Sequence, residues 1–87
     1  MISSGQLTVG TASTLIDGLE VNPFRLHIHN HDNTDSIYLG ASDVTTTTGL
    51  KLVKEDSIEL ILNPLEALYA ISTKGGHVIS YLKQTDN

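Results

Sequence analysis

Residues 24–40, FRLHIHNHDNTDSIYLG, decide the fold of this chain. Over residues 24–31 apolar and polar side chains alternate, and a period of two is typical of a β-strand with one apolar and one polar face. A polar run over residues 32–35 interrupts the pattern, and the short run 36–39 that follows it ends on Gly40. The stretch therefore predicts two β-strands joined by a polar loop.

The rest of the chain repeats this pattern of short strands between turns. The strand segments are rich in Val, Ile, Thr and Leu, which suit a half-buried pleated surface. No run of about ten residues keeps the apolar spacing of a helix. Turns are predicted at Asp17-Gly18, Asn22-Pro23 and Asn63-Pro64, and a tight hairpin at Lys74-Gly75-Gly76. The further predicted strands cover residues 6–9, 12–16, 50–53, 57–62, 68–73 and 77–83, and residues 84–87 are expected to fray.

About seven or eight short strands separated by turns are typical of an all-β fold. We expect a compact antiparallel β-sandwich or a jelly-roll-like barrel. The length of 87 residues suits a single domain over residues 1–87. The strand order does not follow from the pattern.

Composition excludes several classes of function. The net charge is −5 with a single arginine, so direct binding to nucleic acid or to an anionic membrane is not expected. There is no cysteine, which excludes disulfides and cysteine zinc sites. No signal peptide or membrane span is evident, so we expect a soluble product made in the cytoplasm. Because a core of this size is modest, association with copies of the chain or with a partner is the expected support.

The three histidines His27, His29 and His31 are the strongest chemical signal, since they share one face of the predicted strand. Three imidazoles could converge on a metal ion, with Asp32 or Asp35 as a nearby base. The favoured interpretation is a polar strand face that meets solvent or a subunit interface. A metal or pH-sensitive contact at an interface is the next alternative, and a small His-metal enzyme is the last.

Other motifs of catalysis are absent from the sequence. It contains no G-x-S-x-G elbow, no phosphate-binding glycine loop and no recognisable pair of acids. Residues 45–48, four threonines, are interpreted as an exposed and weakly structured loop. Tyr38, Tyr69 and Tyr81 are expected to pack in the core with their hydroxyls at its rim. No residue is assigned as catalytic, cofactor-binding or metal-binding, and no cofactor is predicted.

The order of strands and turns resembles that of small β-sandwich virion proteins of tailed bacteriophages, the head-decoration type. The landmarks span about residues 15–82 and are strand-and-turn features rather than catalytic residues. They are the arginine-led strand ending in Asn30, Ile37-Tyr38-Leu39-Gly40, Val44-Thr45, Gly49-Leu50, Leu52, Leu68-Tyr69-Ala70-Ile71, Gly76, and the strand from Val78 to Leu82.

The resemblance implies a non-enzymatic protein that binds the assembled head and stabilises it through subunit contacts. Its implied partners are the major capsid protein or another virion protein and further copies of itself, often as a trimer, on the capsid exterior. We expect the contact surface to include Leu7, Val9, Leu15, Ile16 and the loop 41–49. The alternative is a β-sandwich module of a tail, neck or fibre that binds a receptor or carbohydrate.

Overall fold

The computed structural model describes residues 1–31 and 35–85. The candidate base Asp32 and most of the predicted polar run 32–35 therefore lie outside the described residues. Residues 86–87, at the end of the segment expected to fray, also lie outside them. The described residues form eight β-strands. The strands are β1 (Ile2–Val9), β2 (Thr14–Gly18), β3 (Phe24–His29), β4 (Ile37–Gly40), β5 (Leu50–Leu52), β6 (Ser57–Leu62), β7 (Ala67–Ser72) and β8 (His77–Gln84).

The strands form two antiparallel sheets of four strands each, and this arrangement confirms the predicted all-β sandwich. Sheet A has the order β1-β8-β3-β6, and sheet B has the order β2-β7-β4-β5. The outermost strands are therefore β1 and β6 in sheet A, and β2 and β5 in sheet B. No helix in the described ranges is long and apolar enough to cross a membrane.

The alternation of β3 determines which of its residues enter the core. Phe24, Leu26 and Ile28 are at most 4% exposed, while the residues between them face outward. Burying an aliphatic side chain of this size contributes about 1.5–3 kcal/mol, so the period of two has a large energetic consequence. The opposing sheet completes the core with other buried side chains, which are Ile37, Leu39, Leu52, Leu68 and Ala70.

The first and last strands extend further toward the chain ends than the sequence predicts. β1 begins at Ile2 rather than at residue 6, and it pairs with β8 along its whole length, from Ile2 opposite Gln84 to Val9 opposite His77. Gln84, which was expected to fray, also pairs with Arg25 of β3. The residues Ser3-Ser4-Gly5 have low strand propensity, and pairing with β8 overrides it.

The predicted turn at Asp17-Gly18 is wrong, because both residues belong to β2. β2 contains an irregularity between Leu15 and Asp17, and Gly18 ends it with a positive φ of 147°. The chain turns only afterwards, where Leu19 N–H donates to the carbonyl of Glu66 at 2.8 Å. This contact joins the end of β2 to the start of β7.

Candidate functional site

The outward face of β3 carries two of the three predicted histidines. His27 and Arg25 each lie 3.9 Å from Glu59 of β6, and His29 lies 3.9 Å from Glu55. All of these side chains are more than a third exposed. An exposed ion pair such as Arg25–Glu59 contributes between about 0 and 1 kcal/mol in water, so this face is a polar surface with weak internal pairing.

The histidine row is shorter than the sequence predicts. β3 ends at His29, and His31 lies beyond it with its Nδ1 3.5 Å from the hydroxyl of Ser80. Asp35 pairs instead with Lys74 at 3.7 Å. Among residues 1–31 and 35–85, no group of three or more His, Cys, Asp or Glu side chains could hold a metal ion.

The most highly organised polar cluster is one that sequence reasoning missed. It consists of Asn30, Ser72 and His77, whose exposed fractions are 0%, 2% and 0%. The Nε2 of His77 is 2.7 Å from Oδ1 of Asn30, and its Nδ1 is 3.1 Å from the hydroxyl of Ser72. The cluster thus joins sheet A to sheet B through buried hydrogen bonds at one end of the sandwich, where β3 and β7 end and β8 begins.

The hydrogen-bond network assigns the protonation of this cluster. The side-chain amide of Asn30 donates to the carbonyls of Asp35 and Leu52, both at 3.0 Å, which leaves its oxygen to accept from His77. His77 therefore carries a proton on Nε2, and with a neutral ring its Nδ1 accepts from the hydroxyl of Ser72. Ser72 in turn accepts from the backbone N–H of Lys74 at 3.2 Å. No buried polar side-chain atom of the described residues lacks a partner.

A serine, a histidine and an amide linked by hydrogen bonds also occur in nucleophilic enzymes. Here the hydrogen bonds of the three side chains connect the two sheets. The serine hydroxyl is buried, and its donor and acceptor roles are both used within the fold. A nucleophile must instead present its oxygen to a bound substrate. A signal for the cluster existed in the sequence, since His77 shares strand parity with the inward-facing Ile79 and Tyr81.

Lys83 forms ion pairs with two carboxylates at one end of the sandwich. Its Nζ lies 2.6 Å from Glu20 and 3.2 Å from Asp17, and 4.5 Å from the centre of the Phe24 ring. Burial by itself lowers the pKa of Lys83, but the hydrogen bonds that Lys83 donates to Glu20 and Asp17, with their negative charges, outweigh it, so that the pKa lies above its usual range. The side chain is only 14% exposed, which makes this the least solvated of the ion pairs described.

We expect Lys83→Met to lower the free energy of unfolding by about 1–2 kcal/mol, since two charge-assisted hydrogen bonds are lost. The folded pKa is raised, so the contribution of Lys83 is complete below the unfolded pKa of about 10.4 and is lost as pH rises through the folded value. Urea unfolding at pH 8 and at pH 11 measures this effect. The difference in the free energy of unfolding between wild type and variant is expected to be smaller at the higher pH. Lys51→Met, at an exposed position of β5, is the matched control and stays close to wild type. An equal loss in both variants would contradict the assignment.

Each of the four edge strands presents one large aliphatic side chain to solvent. Ile2 on β1 is 64% exposed, Ile61 on β6 is 60%, Leu15 on β2 is 42% and Leu50 on β5 is 57%. No other described strand pairs with the outer sides of these four strands. An unprotected edge is a ready template for another chain, so the edges are the strongest candidate for a functional surface.

The predicted contact residues divide between surface and core. Leu15 lies on the surface, whereas Leu7 and Ile16 are half-buried against the core. Val9 is completely buried, so its assignment to a contact surface is wrong. The reason is strand parity, because Val9 occupies an inward position opposite His77.

The loop 41–49 is exposed as predicted, but it is not weakly structured. The hydroxyl of Thr45 bonds the hydroxyls of Thr47 and Thr48 at 3.0 and 2.9 Å. Val44 is only 6% exposed, and a Cβ atom at Gly40 or Gly49 would lie 2.9 or 2.8 Å from its Cγ2. The loop is therefore held in a defined conformation beside β4 by hydrogen bonds and by packing around Val44.

The tyrosine prediction holds for one residue of three. Tyr81 faces inward and packs against the core, with its ring over Gly5. Tyr38 and Tyr69 instead lie half-buried on the outer face of sheet B, because the buried residues of β4 and β7 occupy the opposite parity. In the register of the two strands Tyr38 faces Ile71 and Tyr69 faces Gly40, so the tyrosines are diagonal neighbours.

Comparison with known proteins identifies a structural relative and no sequence family. No family model matches the chain. No curated protein matches it either. A solved structure of Bacillus endospore appendages, which form a family of disulfide-linked pili, is similar to this chain. The two structures superpose with a TM-score of 0.61, and the sequences are 9% identical. The match covers 98% of this chain and 85% of that chain. At this identity the likeness extends to the fold alone.

Proposed function

We propose that this protein is a non-enzymatic structural protein of a tailed-phage virion, a decoration protein that binds the assembled head and stabilises it. The observation that carries the proposal is the set of four open sheet edges, each with an exposed aliphatic residue: Ile2, Ile61, Leu15 and Leu50. A domain that works alone protects its edges with short or irregular strands. β5 has three residues and β2 is irregular between Leu15 and Asp17, whereas β1 and β6 are regular strands of eight and six residues. These edges suit a domain that neighbouring subunits complete.

The proposed mechanism is stabilisation by mass action. A protein that binds the assembled shell, but not free capsid subunits, shifts the equilibrium toward the shell by its own binding free energy. A rigid binding surface reduces the entropy that binding must overcome. The buried Asn30–Ser72–His77 cluster supports such rigidity, because it connects the two sheets through directional hydrogen bonds.

The solved relative adds limited support for an assembly role. That structure is of Bacillus endospore appendages that form disulfide-linked pili, so a fold similar to this one occurs in a protein that assembles. Disulfide linkage cannot apply to this chain, which has no cysteine. Its assembly contacts would be non-covalent.

The proposal is tested with purified heads of the phage whose genome encodes the chain. We expect the protein to sediment with assembled heads and to saturate at a fixed number of copies per shell, and we expect no complex with the soluble major capsid protein. Leu15→Glu and Leu50→Glu test the edges of sheet B, and Val21→Glu is the control because Val21 is 76% exposed and lies outside the strands. Saturable binding that is lost in an edge variant supports the proposal, and absence from the pelleted heads contradicts it.

A second candidate function is a receptor- or carbohydrate-binding module of a tail, neck or fibre. Tyr38 and Tyr69 lie next to each other on the outer face of sheet B, beside Leu15 and Ile71. Aromatic rings on an accessible face are a common platform for sugars and for protein partners. Immunogold labelling of intact virions separates the two candidates, because a decoration protein labels the head and a receptor module labels the tail or its fibres.

A further inference from the structure

The two free edges of sheet A are compatible in direction. Each neighbouring pair in the order β1-β8-β3-β6 is antiparallel, so β1 and β6 run in opposite directions. When two copies lie side by side in the same orientation, β6 of one meets β1 of the next as an antiparallel pair. The sheet can thus continue from one copy to the next without any change in strand geometry.

The exposed isoleucines of these edges occupy the same row across the sheet. Ile2 pairs with Gln84, Gln84 with Arg25, and Arg25 with Ile61. All four residues face outward, and the side chains at the two ends of the row, Ile2 and Ile61, are 64% and 60% exposed. Continuing the row into a second copy therefore places Ile61 opposite the partner copy's Ile2, and a cross-strand aliphatic pair removes both from water.

The inward positions are complementary in size in this same register. Leu60 of β6 would lie opposite Ser3 of the second copy, and Ile58 opposite Gly5. Leu60 and Ile58 are only half-buried at the open edge. Ser3 leaves space for Leu60, and the ring of Tyr81, which covers Gly5, offers Ile58 a surface to pack against. Large residues against small ones interdigitate without overpacking.

The charges also favour this pairing over self-pairing of β6. β1 has no charged residue and no proline. Against β1, the carboxylate of Glu59 faces the hydroxyl of Ser4. When β6 pairs with β6 of a second copy, two registers keep five residues of each strand paired. In one register Glu59 faces Glu59 of the second copy, and in the other it faces Ile61. Like charges placed directly opposite are destabilising, so β1 is the better partner.

We propose that β1 of one copy pairs with β6 of a second copy, with Ile2 opposite Ile61, and that sheet A continues from subunit to subunit. The contact is head-to-tail, so it generates a closed ring or a filament. This inference does not depend on capsid binding, since it rests on the two edges of sheet A alone. Pairing of two β1 strands, with Ile2 opposite Thr8, is the competing arrangement.

Cysteine cross-linking tests the register, and the chain offers a background without cysteine. Ile2→Cys and Ile61→Cys are made in separate chains, mixed and oxidised. Within one chain the two positions lie three strand spacings apart, about 14 Å, beyond the Cα–Cα limit of about 7 Å for a disulfide. We expect the Ile2→Cys and Ile61→Cys mixture to give about ten times more disulfide heterodimer than Ile2→Cys with Ser57→Cys, since Ser57 lies about 13 Å further along β6.

Charge variants test the same contact without a covalent bond. Ser4→Glu places a carboxylate opposite Glu59 and is expected to weaken association in sedimentation velocity by about two- to fivefold, whereas Ser4→Lys strengthens it. The double variant Ser4→Glu with Glu59→Lys restores it. Circular dichroism melting of each variant checks that the fold is retained.

Two outcomes would overturn the inference. One is a chain that stays monomeric in sedimentation up to millimolar concentration. The other is a higher yield of heterodimer from Ile2→Cys with Thr8→Cys than from Ile2→Cys with Ile61→Cys, which assigns the contact to two β1 strands.

Discussion

Asn30→Ala is expected to lower the free energy of unfolding by about 3 kcal/mol, which corresponds to roughly 15 °C in Tm for a domain of this size. The substitution removes three hydrogen bonds at once, two of them buried and one partly buried. It takes away the acceptor for His77 and the two donors to the carbonyls of Asp35 and Leu52. Each buried polar group left without a partner carries its own desolvation penalty.

Urea denaturation of the full chain measures this loss. His29→Ala is the matched control, because His29 is adjacent to Asn30 but lies on the outer face with a weak ion pair; it should change stability by less than about 0.5 kcal/mol. The double variant Asn30→Ala with His77→Ala should lose less than the sum of the two single losses, since both act on one network. Additive losses would show that the cluster does not act as a unit.

Gly18→Ala is the second substitution with a large expected effect. Gly18 has a φ of 147°, and a Cβ atom there would lie 2.4 Å from both the Cα of Ala67 and the carbonyl oxygen of Glu66. Both obstacles are backbone atoms, so no side-chain rotation can relieve the overlap. We expect a loss of about 3 kcal/mol, from the strained backbone conformation together with displacement of β2 from β7.

Gly75→Ala is the control for this substitution, because a Cβ atom at Gly75 meets nothing within 4 Å. It is expected to leave Tm within a few degrees of wild type. Thermal unfolding followed by circular dichroism compares the two variants. A Gly18→Ala protein that melts with the wild type would mean that the end of β2 can move freely away from β7.

Alternation along the chain was sufficient to predict much of the fold. The parity of residues 24–29 assigned Phe24, Leu26 and Ile28 to the core, and these residues are buried. Parity also held for β4, where the buried Ile37 and Leu39 alternate with half-buried neighbours. Short strands bounded by turns then restricted the fold to an all-β sandwich or a jelly-roll-like barrel.

Features that depend on strand partners could not be predicted in this way. β1 was predicted too short because Ser3-Ser4-Gly5 is stabilised by pairing with β8 rather than by its own propensity. His77 was missed because its partners, Asn30 and Ser72, are 47 and 5 residues away in sequence and meet only when the two sheets pack. Local pattern contains no information on such contacts.

The candidate site was harder to predict than the core for a related reason. Whether a strand lies at an edge depends on the strand order, which the sequence pattern left open. Ile2 and Ile61 face outward on the edge strands β1 and β6, whereas Leu50 has inward parity opposite Leu39 and is exposed because β5 is outermost in its sheet. By contrast, the histidine row was visible in the sequence, but it forms only a weakly paired polar face.

The central claim is that this chain binds an assembled phage head and stabilises it. The most direct test is the thermal stability of heads depleted of the protein, measured with and without the purified full chain by light scattering and negative-stain microscopy. The account predicts that the disruption temperature rises with added protein and reaches a plateau when the sites are filled. Heads whose disruption temperature is unchanged at every concentration of the protein would contradict it.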